Sequence, residues 1–361
     1  MRSPTPSTRV IPRRARSGAA VKTLPLLGFL AVALASPRAT FGASTDATTL
    51  LRESIDAPRA VSYIGQLETV RFSASRASAT ISKVEHRAPG STRRWFVAPE
   101  ALFGDYVVDR AGSTYRFDTK NSKVIVSHNL STDSAVATTG SFDRVLANYR
   151  ALVEGSEMVA NRETISVVLI NKYTGERALR VWLDKETHLV LKKEEYHANG
   201  SVASQTRFEA LRYTDAIPDG VFSIATPSGY TQVVGQDAAM MDNDIDRVIS
   251  QAGFKPYEPE NLPQGFAMTS GDVRDVGGVK TLHLLYSDGL RSMSLFENAI
   301  GAAADFGTLH PKSIALDGHD GDYVEDGPTT LLTWKEHGLH FALVGDLMIN
   351  ELAEIAKSVV P

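Results

Sequence analysis

The chain contains no cysteine among its 361 residues. This absence excludes disulfide bonds, thiolate metal ligands and a cysteine nucleophile. We also expect no lipid-anchored N-terminus, because such an anchor is attached to a cysteine at the cleavage point. An exported protein without disulfides is more typical of a bacterial envelope than of a disulfide-stapled secreted module.

Catalytic motifs are missing as well. The chain has no Gly-x-Ser-x-Gly, phosphate loop, Gly-x-Gly-x-x-Gly or His-Glu-x-x-His motif. The closest histidines, His337 and His340, face opposite sides of a predicted strand, which disfavours a metal site. His319 and Gly321 occupy positions where a calcium loop needs oxygen ligands, so we interpret residues 317–322 as a solvated turn. The sequence predicts no enzyme, no cofactor and no metal.

Basic residues are scarce in the C-terminal third. Residues 231–361 carry 8 Lys and Arg against 20 Asp and Glu, a balance of −12. This acidity disfavours binding to the phosphates of nucleic acids. It could steer a basic partner, although solubility explains an acidic surface equally well.

Acidic residues, in turn, are missing from residues 1–35, which hold six Lys and Arg. Residues 24–35 form an apolar run, and this run is shorter than the roughly 20 residues that span a bilayer. The pattern is typical of a cleavable signal peptide. We predict cleavage after Ala35, or as late as residue 43, and a soluble periplasmic protein; an uncleaved anchor is the alternative.

The organising stretch runs from Leu179 to Leu211 and predicts three antiparallel strands. Its first segment alternates Leu179, Val181 and Leu183 with polar and aromatic neighbours, which is the period of a strand. Asn199-Gly200 predicts a type I′ hairpin turn. Further short strands separated by turn residues extend from residue 61 to residue 128. Together they predict one large curled antiparallel sheet.

Helices are predicted where apolar residues recur every three or four positions, over 44–57 (ended by Pro58), 141–152, 244–252 and 350–359. The second of them is expected to pack across the concave face of the sheet. The elements divide the mature chain into a β-rich domain over 44–230, a linker over 231–261 and a smaller α+β domain over 262–361. Residues 300–327, rich in Gly and Asp, are predicted as loops.

One apolar cluster has two interpretations. Large apolar side chains lie close together in the sequence beside a Pro-Glu loop, namely Trp95, Phe96, Leu102, Phe103 and Tyr106. They are either ordinary core or the mouth of a cavity inside the curled sheet. Such a cavity would suit an acyl chain or an apolar peptide segment.

Several segments resemble the MucB/RseB family in the same order along the chain. In the first domain they are Tyr63-Ile64-Gly65, Asn148-Tyr149-Arg150, Arg180-Val181-Trp182-Leu183-Asp184, Leu189-Val190-Leu191-Lys192 and Ile217-Pro218-Asp219. In the second they are Leu262-Pro263-Gln264-Gly265-Phe266, Leu285-Tyr286-Ser287-Asp288-Gly289-Leu290, Val344-Gly345-Asp346 and Ile355-Ala356-Lys357-Ser358-Val359. The resemblance covers nearly the whole mature chain.

The resemblance implies a fold and a function. The larger domain would be an unclosed half-barrel with helices over its concave face, similar to the lipoprotein carriers LolA and LolB. The protein would bind the periplasmic part of a membrane anti-sigma factor, protect it from proteolysis, and sense lipid or lipoprotein acyl chains. The alternative is a LolA-like carrier of lipid or lipoprotein. The resemblance assigns no binding residues and no oligomeric state.

Overall fold

The computed structural model describes residues 46–73, 77–128, 142–234, 241–276, 278–299, 306, 310–326 and 329–360. These residues fall within one compact unit. The predicted signal peptide and its cleavage sites lie outside the described residues. Among the described residues, no helix is both long and apolar enough to cross a bilayer.

The main element is a twelve-stranded sheet, called the large sheet below. Its strands are β1 Tyr63–Phe72, β2 Ala77–Arg87, β3 Ser91–Ala98, β4 Tyr106–Arg110, β5 Ser113–Asp118, β6 Lys123–His128, β7 Tyr149–Val159, β8 Arg162–Asn171, β9 Arg177–Asp184, β10 Val190–Tyr196, β11 Val202–Tyr213 and β12 Thr231–Val234. Their order is β12-β6-β5-β4-β3-β2-β1-β11-β10-β9-β8-β7. Neighbouring strands pair antiparallel, except β6 and β12. The sheet is unclosed, since β7 and β12 are its two edges.

A second sheet of seven strands, the small sheet, follows in the chain. Its strands are β14 Ala267–Val276, β15 Val279–Ser287, β16 Ser292–Asn298, β17 Lys312–Leu316, β18 His319–Asp326, β19 Thr329–Glu336 and β20 Leu339–Gly345, in the order β14-β15-β16-β20-β19-β18-β17. A two-strand pair joins β13 Glu258–Pro259 to β21 Val359–Val360. The fold is therefore α+β and mainly antiparallel, as predicted.

In the part of the chain that the structure describes, four α-helices cover these sheets: α1 Ala47–Ala60, α2 Phe142–Asn148, α3 Ile245–Ala252 and α4 Ile349–Ala356. Leu50 and Leu51 of α1 and Val145 of α2 pack on buried residues of β8 and β9, and this contact forms one of the core clusters of the large sheet. The helices α3 and α4 pack on the small sheet through Val248 and Leu352.

The meander that the sequence predicts is confirmed as β9, β10 and β11, but its turn is not type I′. Only Gly200 has a positive φ, of 79°. The connection is a five-residue loop closed by the amide of His197, which donates to the carbonyl of Ser201 at 2.8 Å. The Asn199 side chain accepts a hydrogen bond from the Ser201 amide at 3.0 Å and holds the loop.

The predicted helix over 141–152 is wrong in its second half. The helix α2 ends at Asn148, and the chain continues directly into β7 at Tyr149. The reason is that β7 pairs with β8 over its whole length, from Tyr149 opposite Asn171 to Val159 opposite Arg162. This sheet pairing outweighs a helical periodicity of only three turns.

Two smaller predictions are also corrected. The proline expected to end the first helix, Pro58, lies inside α1, which continues to Ala60. A proline in the last turn removes only its own backbone donor, so the helix tolerates it there. The final helix, α4, ends at Ala356, and Val359 belongs to β21 instead.

The loops predicted over 300–327 are wrong for residues 312–326. Residues 312–326 form β17 and β18, joined at Asp317-Gly318, where Gly318 has a φ of 89°. An Asp-Gly pair favours a tight hairpin as much as an open loop. The Gly and Asp content therefore indicates the turn but gives no signal for the two strands that flank it.

Candidate functional site

The clearest candidate site is a cavity of ≈ 860 Å³ on one face of the large sheet. It is bounded by the C-terminal half of α1 and by side chains of β1 to β5, β10 and β11. Its size lies within the range of about 300–1,000 Å³ that is usual for small-molecule sites. We call it the groove.

The floor of the groove is apolar. Tyr63, Leu67 and Phe208 line it, and the rings of Tyr63 and Phe208 meet edge to face with centroids 5.6 Å apart. A methyl group on Gly65 would come within 2.7 Å of the Phe208 ring. Glycine is required at that position because the Phe208 ring lies directly over β1.

A buried histidine positions α1 beside the groove. One ring nitrogen of His86 lies 2.8 Å from the Thr92 hydroxyl, and the other lies 2.6 Å from the carbonyl of Pro58 in α1. The ring also stacks on Tyr63 with centroids 4.8 Å apart. His86 thus ties strand β2 to the last turn of the helix that borders the groove.

The charged side chains lining the groove are nearly all basic. They are Arg59, Arg71, Arg94, Arg110, Arg116, Lys192 and Lys193, against the single acid Asp109. Some are paired, since Lys193 lies 2.8 Å from Glu195 and Arg110 lies 3.4 Å from Asp219. An apolar floor with a cationic lining favours an amphiphile that carries negative charge.

The structure brings together only two of the five residues predicted for the cavity. Phe96 and Leu102 line the groove. Trp95 is 43% exposed and Phe103 is 62% exposed, and neither lines it. Tyr106 stacks on Phe117 at 4.2 Å in a separate core cluster.

Strand geometry explains this division. Successive side chains of β3 point to opposite faces, so Trp95 and Phe96 cannot both reach the groove. Trp95 is paired across the strands with Tyr106, and Arg93 lies over both rings at 5.3 and 4.9 Å. The sequence analysis did not identify the basic residues of the groove, because Arg71, Arg94 and Arg116 come from three different strands. The alternation of side chains within each strand is the only sequence signal that could have placed them on one face of the sheet.

A second notable cluster joins the two sheets. Asp288, in the turn after β15, is fully buried. Its carboxylate accepts hydrogen bonds from the Tyr149 hydroxyl at 2.5 Å and from the Arg291 amide at 2.8 Å, and it pairs with the Arg291 guanidinium at 3.3 Å. Burial and the neighbouring Asp288 carboxylate raise the pKa of Tyr149.

Backbone contacts extend this junction. The Asn148 side-chain amide donates to the carbonyls of Asp288 at 2.8 Å and Gly265 at 3.0 Å. A methyl group on Gly289 would come within 2.7 Å of the Val145 amide. The end of α2 therefore fits closely against the β15–β16 turn, and residues 148 and 149 are the link.

A Ser–His–Asp arrangement occurs on the small sheet. His283 lies 2.8 Å from a carboxylate oxygen of Asp272 and 2.9 Å from the hydroxyl of Ser294. Although burial raises the pKa of Asp272, hydrogen bonds from His283 and Arg274 lower it below its usual range overall. Ser294 lies in a central strand, opposite Leu285 on one side and Val344 on the other. Ladder pairing of this kind uses the backbone amides that an oxyanion hole would need.

Fold and groove together define a class of protein. It is a two-sheet, mainly antiparallel protein whose larger sheet curls around an amphiphilic cavity and meets the smaller sheet at a junction that includes the buried carboxylate of Asp288. This architecture suits binding of a ligand or a partner.

Two family models match different parts of this chain. Residues 106–226 match the MucB/RseB N-terminal domain, which confirms the resemblance to the MucB/RseB family. Residues 256–359 match a different model, a domain of unknown function called DUF4367. Among curated proteins, no sequence matches this chain.

Two solved structures of MucB complexes agree with this fold. A crystal structure described as MucB in complex with MucA(peri) is 17% identical, covers 88% of this chain and 99% of that chain, and has a TM-score of 0.60. The Pseudomonas aeruginosa MucA/MucB complex is 17% identical, covers 87% and 98%, and also has a TM-score of 0.60. A LolA superfamily protein from Nitrosomonas europaea is 12% identical, covers 50% and 98%, and has a TM-score of 0.27.

Proposed function

We propose that this protein is a periplasmic regulator of an envelope-stress sigma factor. It binds the periplasmic part of a membrane anti-sigma factor and protects that segment from proteolysis. The observation that carries the proposal is the MucB/RseB domain within a chain that follows the MucB fold over both sheets. The MucB structures used for comparison are complexes with MucA, and we transfer that kind of partner to this chain.

Protection from proteolysis is tested with purified components. The periplasmic segment of the anti-sigma factor from the same organism is digested by a site-specific protease with and without this protein. We expect the half-life of the segment to rise severalfold at saturating protein. Bovine albumin at equal mass serves as the control for non-specific protection. An unchanged half-life despite measured binding would remove protection from the proposal.

We further propose that the groove receives the acyl chain of an anionic amphiphile and that this ligand weakens the hold on the partner. The apolar floor of Tyr63, Leu67 and Phe208 supports burial of a chain, at roughly 0.8 kcal/mol per buried methylene group. The basic lining supports an acidic head group. Competition between lipid and partner makes and breaks no covalent bond.

The basic lining gives a prediction. We expect Arg71→Glu combined with Arg116→Glu to weaken binding to phosphatidylglycerol vesicles by about tenfold or more, because each basic side chain near an anionic surface contributes about 1 kcal/mol. Both side chains line the groove and are exposed, so the fold is expected to persist. Vesicle co-sedimentation at low and at physiological salt measures the change.

The control for this prediction is Arg212→Glu. Arg212 is exposed and lies outside the groove lining. It is expected to leave vesicle binding within twofold of the native protein. Equal losses in the control and the double variant would show that general surface charge, and not the groove, attracts the vesicles.

The groove also supports a second candidate, a carrier of lipid or lipoprotein. A carrier moves a fluorescent lipid from donor to acceptor vesicles catalytically, whereas a sensor only binds it. We expect no acceleration of transfer beyond stoichiometric binding. Multiple lipids moved per protein molecule would make the carrier the better account.

We propose that the protein is not an enzyme, and Ser294 offers the sharpest check. Despite its contact with His283, we expect no labelling of Ser294 by a fluorophosphonate and no ester hydrolysis above the level of Ser294→Ala. Intact-mass spectrometry after one hour with excess probe measures the labelling. A single adduct that maps to Ser294 and is lost in the alanine variant would contradict the proposal.

A further inference from the structure

One end of the large sheet carries exposed aromatic side chains. The strands β1, β3 and β5 run in the same direction, so the connections that follow them lie at one end of the sheet, which we call the tip. Phe103, in the β3–β4 connection, is 62% exposed. Trp95 in β3 is 43% exposed, and Phe72 at the end of β1 is 36% exposed. Large apolar groups that collect at one place on a surface mark an interaction site.

Phe103 is held in solvent by a hydrogen-bonded connection. Residues 100–102 form one 3₁₀ turn immediately before it. The carboxylate of Asp105, which is buried, accepts hydrogen bonds from the Thr119 amide at 2.9 Å and from the Thr119 hydroxyl at 2.8 Å. These bonds fasten the β3–β4 connection to the neighbouring β5–β6 turn. The exposure of Phe103 is therefore a fixed feature of the fold.

Phe103 also lies at the border of the groove. Its neighbour Leu102 lines the groove, whereas Phe103 does not. Two consecutive apolar side chains of the β3–β4 connection thus serve two surfaces, one inside the cavity and one outside it. Any surface that takes up Phe103 would lie beside the groove.

The charge at the tip is mainly basic. In the β3–β4 and β5–β6 connections, residues 99–105 and 119–122, Glu100 is the only exposed acid. The ammonium of Lys120 donates to the carbonyl of Glu100 at 2.8 Å and so places a cation on the β3–β4 connection. Five exposed basic side chains lie at or near the tip, namely Arg71, Lys83, Arg116, Lys120 and Lys123. This charge favours an anionic surface.

Aromatic side chains beside basic ones are suited to a membrane surface. Rings of Trp and Phe enter the boundary between head groups and acyl chains, while Lys and Arg contact acidic head groups. An acidic protein would meet the same cations. The adjoining groove, with its apolar floor, favours a source of lipid instead.

We propose that the tip docks on the surface of an anionic lipid bilayer, with Phe103 and Trp95 inserted among the head groups. Docking there holds the groove beside the bilayer that supplies its amphiphile. The inference rests on the proposed groove ligand for this role, but the contact between tip and bilayer is measured independently of that ligand.

The absence of cysteine allows a dye to be attached at the tip alone. With phosphatidylglycerol vesicles, we expect the emission of acrylodan on Phe103→Cys to shift to shorter wavelength and to rise severalfold, because the dye enters an apolar layer. Phosphatidylcholine vesicles are expected to leave the emission unchanged. The matched control is Met158→Cys, since Met158 is 61% exposed but lies towards the opposite end of the large sheet. Its emission is expected to stay the same with both kinds of vesicle.

The native protein provides a second readout. Of its three tryptophans, Trp182 and Trp334 are buried, and Trp95 is exposed. Phosphatidylglycerol vesicles that contain a brominated phospholipid are therefore expected to quench the emission of Trp95 alone. This quenching is expected to disappear in Trp95→Phe.

Monomeric lipid separates docking from binding in the groove. We expect Phe103→Asp to weaken binding to phosphatidylglycerol vesicles by about tenfold, because it places a charge where an apolar ring inserts. Its affinity for lysophosphatidylglycerol below the critical micelle concentration is expected to stay native, since Phe103 does not line the groove. Met158→Asp is expected to leave both affinities unchanged.

The proposal would be overturned if phosphatidylglycerol vesicles affected neither the dye at residue 103 nor Trp95. Equal dye responses at residues 103 and 158, or equal responses to phosphatidylcholine, would also overturn it. A response at residue 103 and at Trp95 without any binding of lysophosphatidylglycerol would support docking and contradict the proposed groove ligand.

Discussion

Replacing Asp288 by alanine is expected to destabilise the protein by about 3–5 kcal/mol, the usual cost of removing one partner of a buried ion pair. The Asp288 carboxylate is fully buried and binds both the Tyr149 hydroxyl and the Arg291 guanidinium. The Arg291 side chain is only 15% exposed, so its charge would lose its nearest partner within the junction of the two sheets. Urea denaturation followed by far-UV circular dichroism measures the change.

Two further variants separate the effect of removing the buried carboxylate from the effect of removing an exposed aspartate or a single hydroxyl group. Asp317→Ala changes an exposed turn aspartate and is expected to cost less than about 0.5 kcal/mol. Tyr149→Phe removes only the hydroxyl that links the sheets and is expected to cost about 1–3 kcal/mol. A cost for Asp288→Ala no larger than that for Asp317→Ala would show that the junction contributes little to the folded state.

Glu297→Gln is expected to stabilise the protein at neutral and alkaline pH. Glu297 is fully buried in the small sheet. One carboxylate oxygen accepts a hydrogen bond from the Tyr257 amide at 2.9 Å, and the other has no hydrogen-bond partner among the described residues. Burial raises the pKa of Glu297 from 4.5 to about 8. Glutamine keeps an acceptor for Tyr257 and never ionises.

The pH dependence has a definite sign. Below pH 4.5 the glutamate is protonated in both the folded and the unfolded protein, so native and variant differ little. Between pH 4.5 and about 8 only the unfolded state loses its proton, so the free energy of unfolding of the native protein falls by up to about 1.4 kcal/mol per pH unit. The full penalty, at most about 5 kcal/mol, is reached above pH 8.

The measurement is urea denaturation of native protein and Glu297→Gln at several pH values from 5 to 9. Glu260→Gln, an exposed residue, is the matched control and is expected to show no pH-dependent gain. A stability difference that does not change across this range would contradict the assignment of a protonated Glu297 in the folded state.

Strands were predictable where local pattern and tertiary pairing agree. Leu179, Val181 and Leu183 alternate in sequence, and all three are buried in the core of the large sheet. The helix α3, predicted over 244–252, is confirmed at Ile245–Ala252, where the structure shows that Asp244 caps its start and Gly253 ends it with a φ of 80°. In both segments the information lies within about ten residues.

Predictions failed where contacts with residues far away in the sequence determine the local structure. Tyr149 continues a helical pattern, but its pairing with Asn171 makes it the first residue of β7. The groove is a stronger example, since its basic side chains come from α1 and several strands whose lateral order follows from the whole sheet. The carboxylate of Asp288 gives no sequence signal for its contact with Tyr149, which lies 139 residues away.

The most direct test of the central claim is isothermal titration of the purified protein with the periplasmic segment of the membrane anti-sigma factor from its own organism. We predict a saturable complex that is weakened when phosphatidylglycerol vesicles are added and unaffected by phosphatidylcholine vesicles. Absence of heat and of a complex at micromolar concentrations, in a preparation whose circular dichroism shows the folded sheets, would contradict the proposed function.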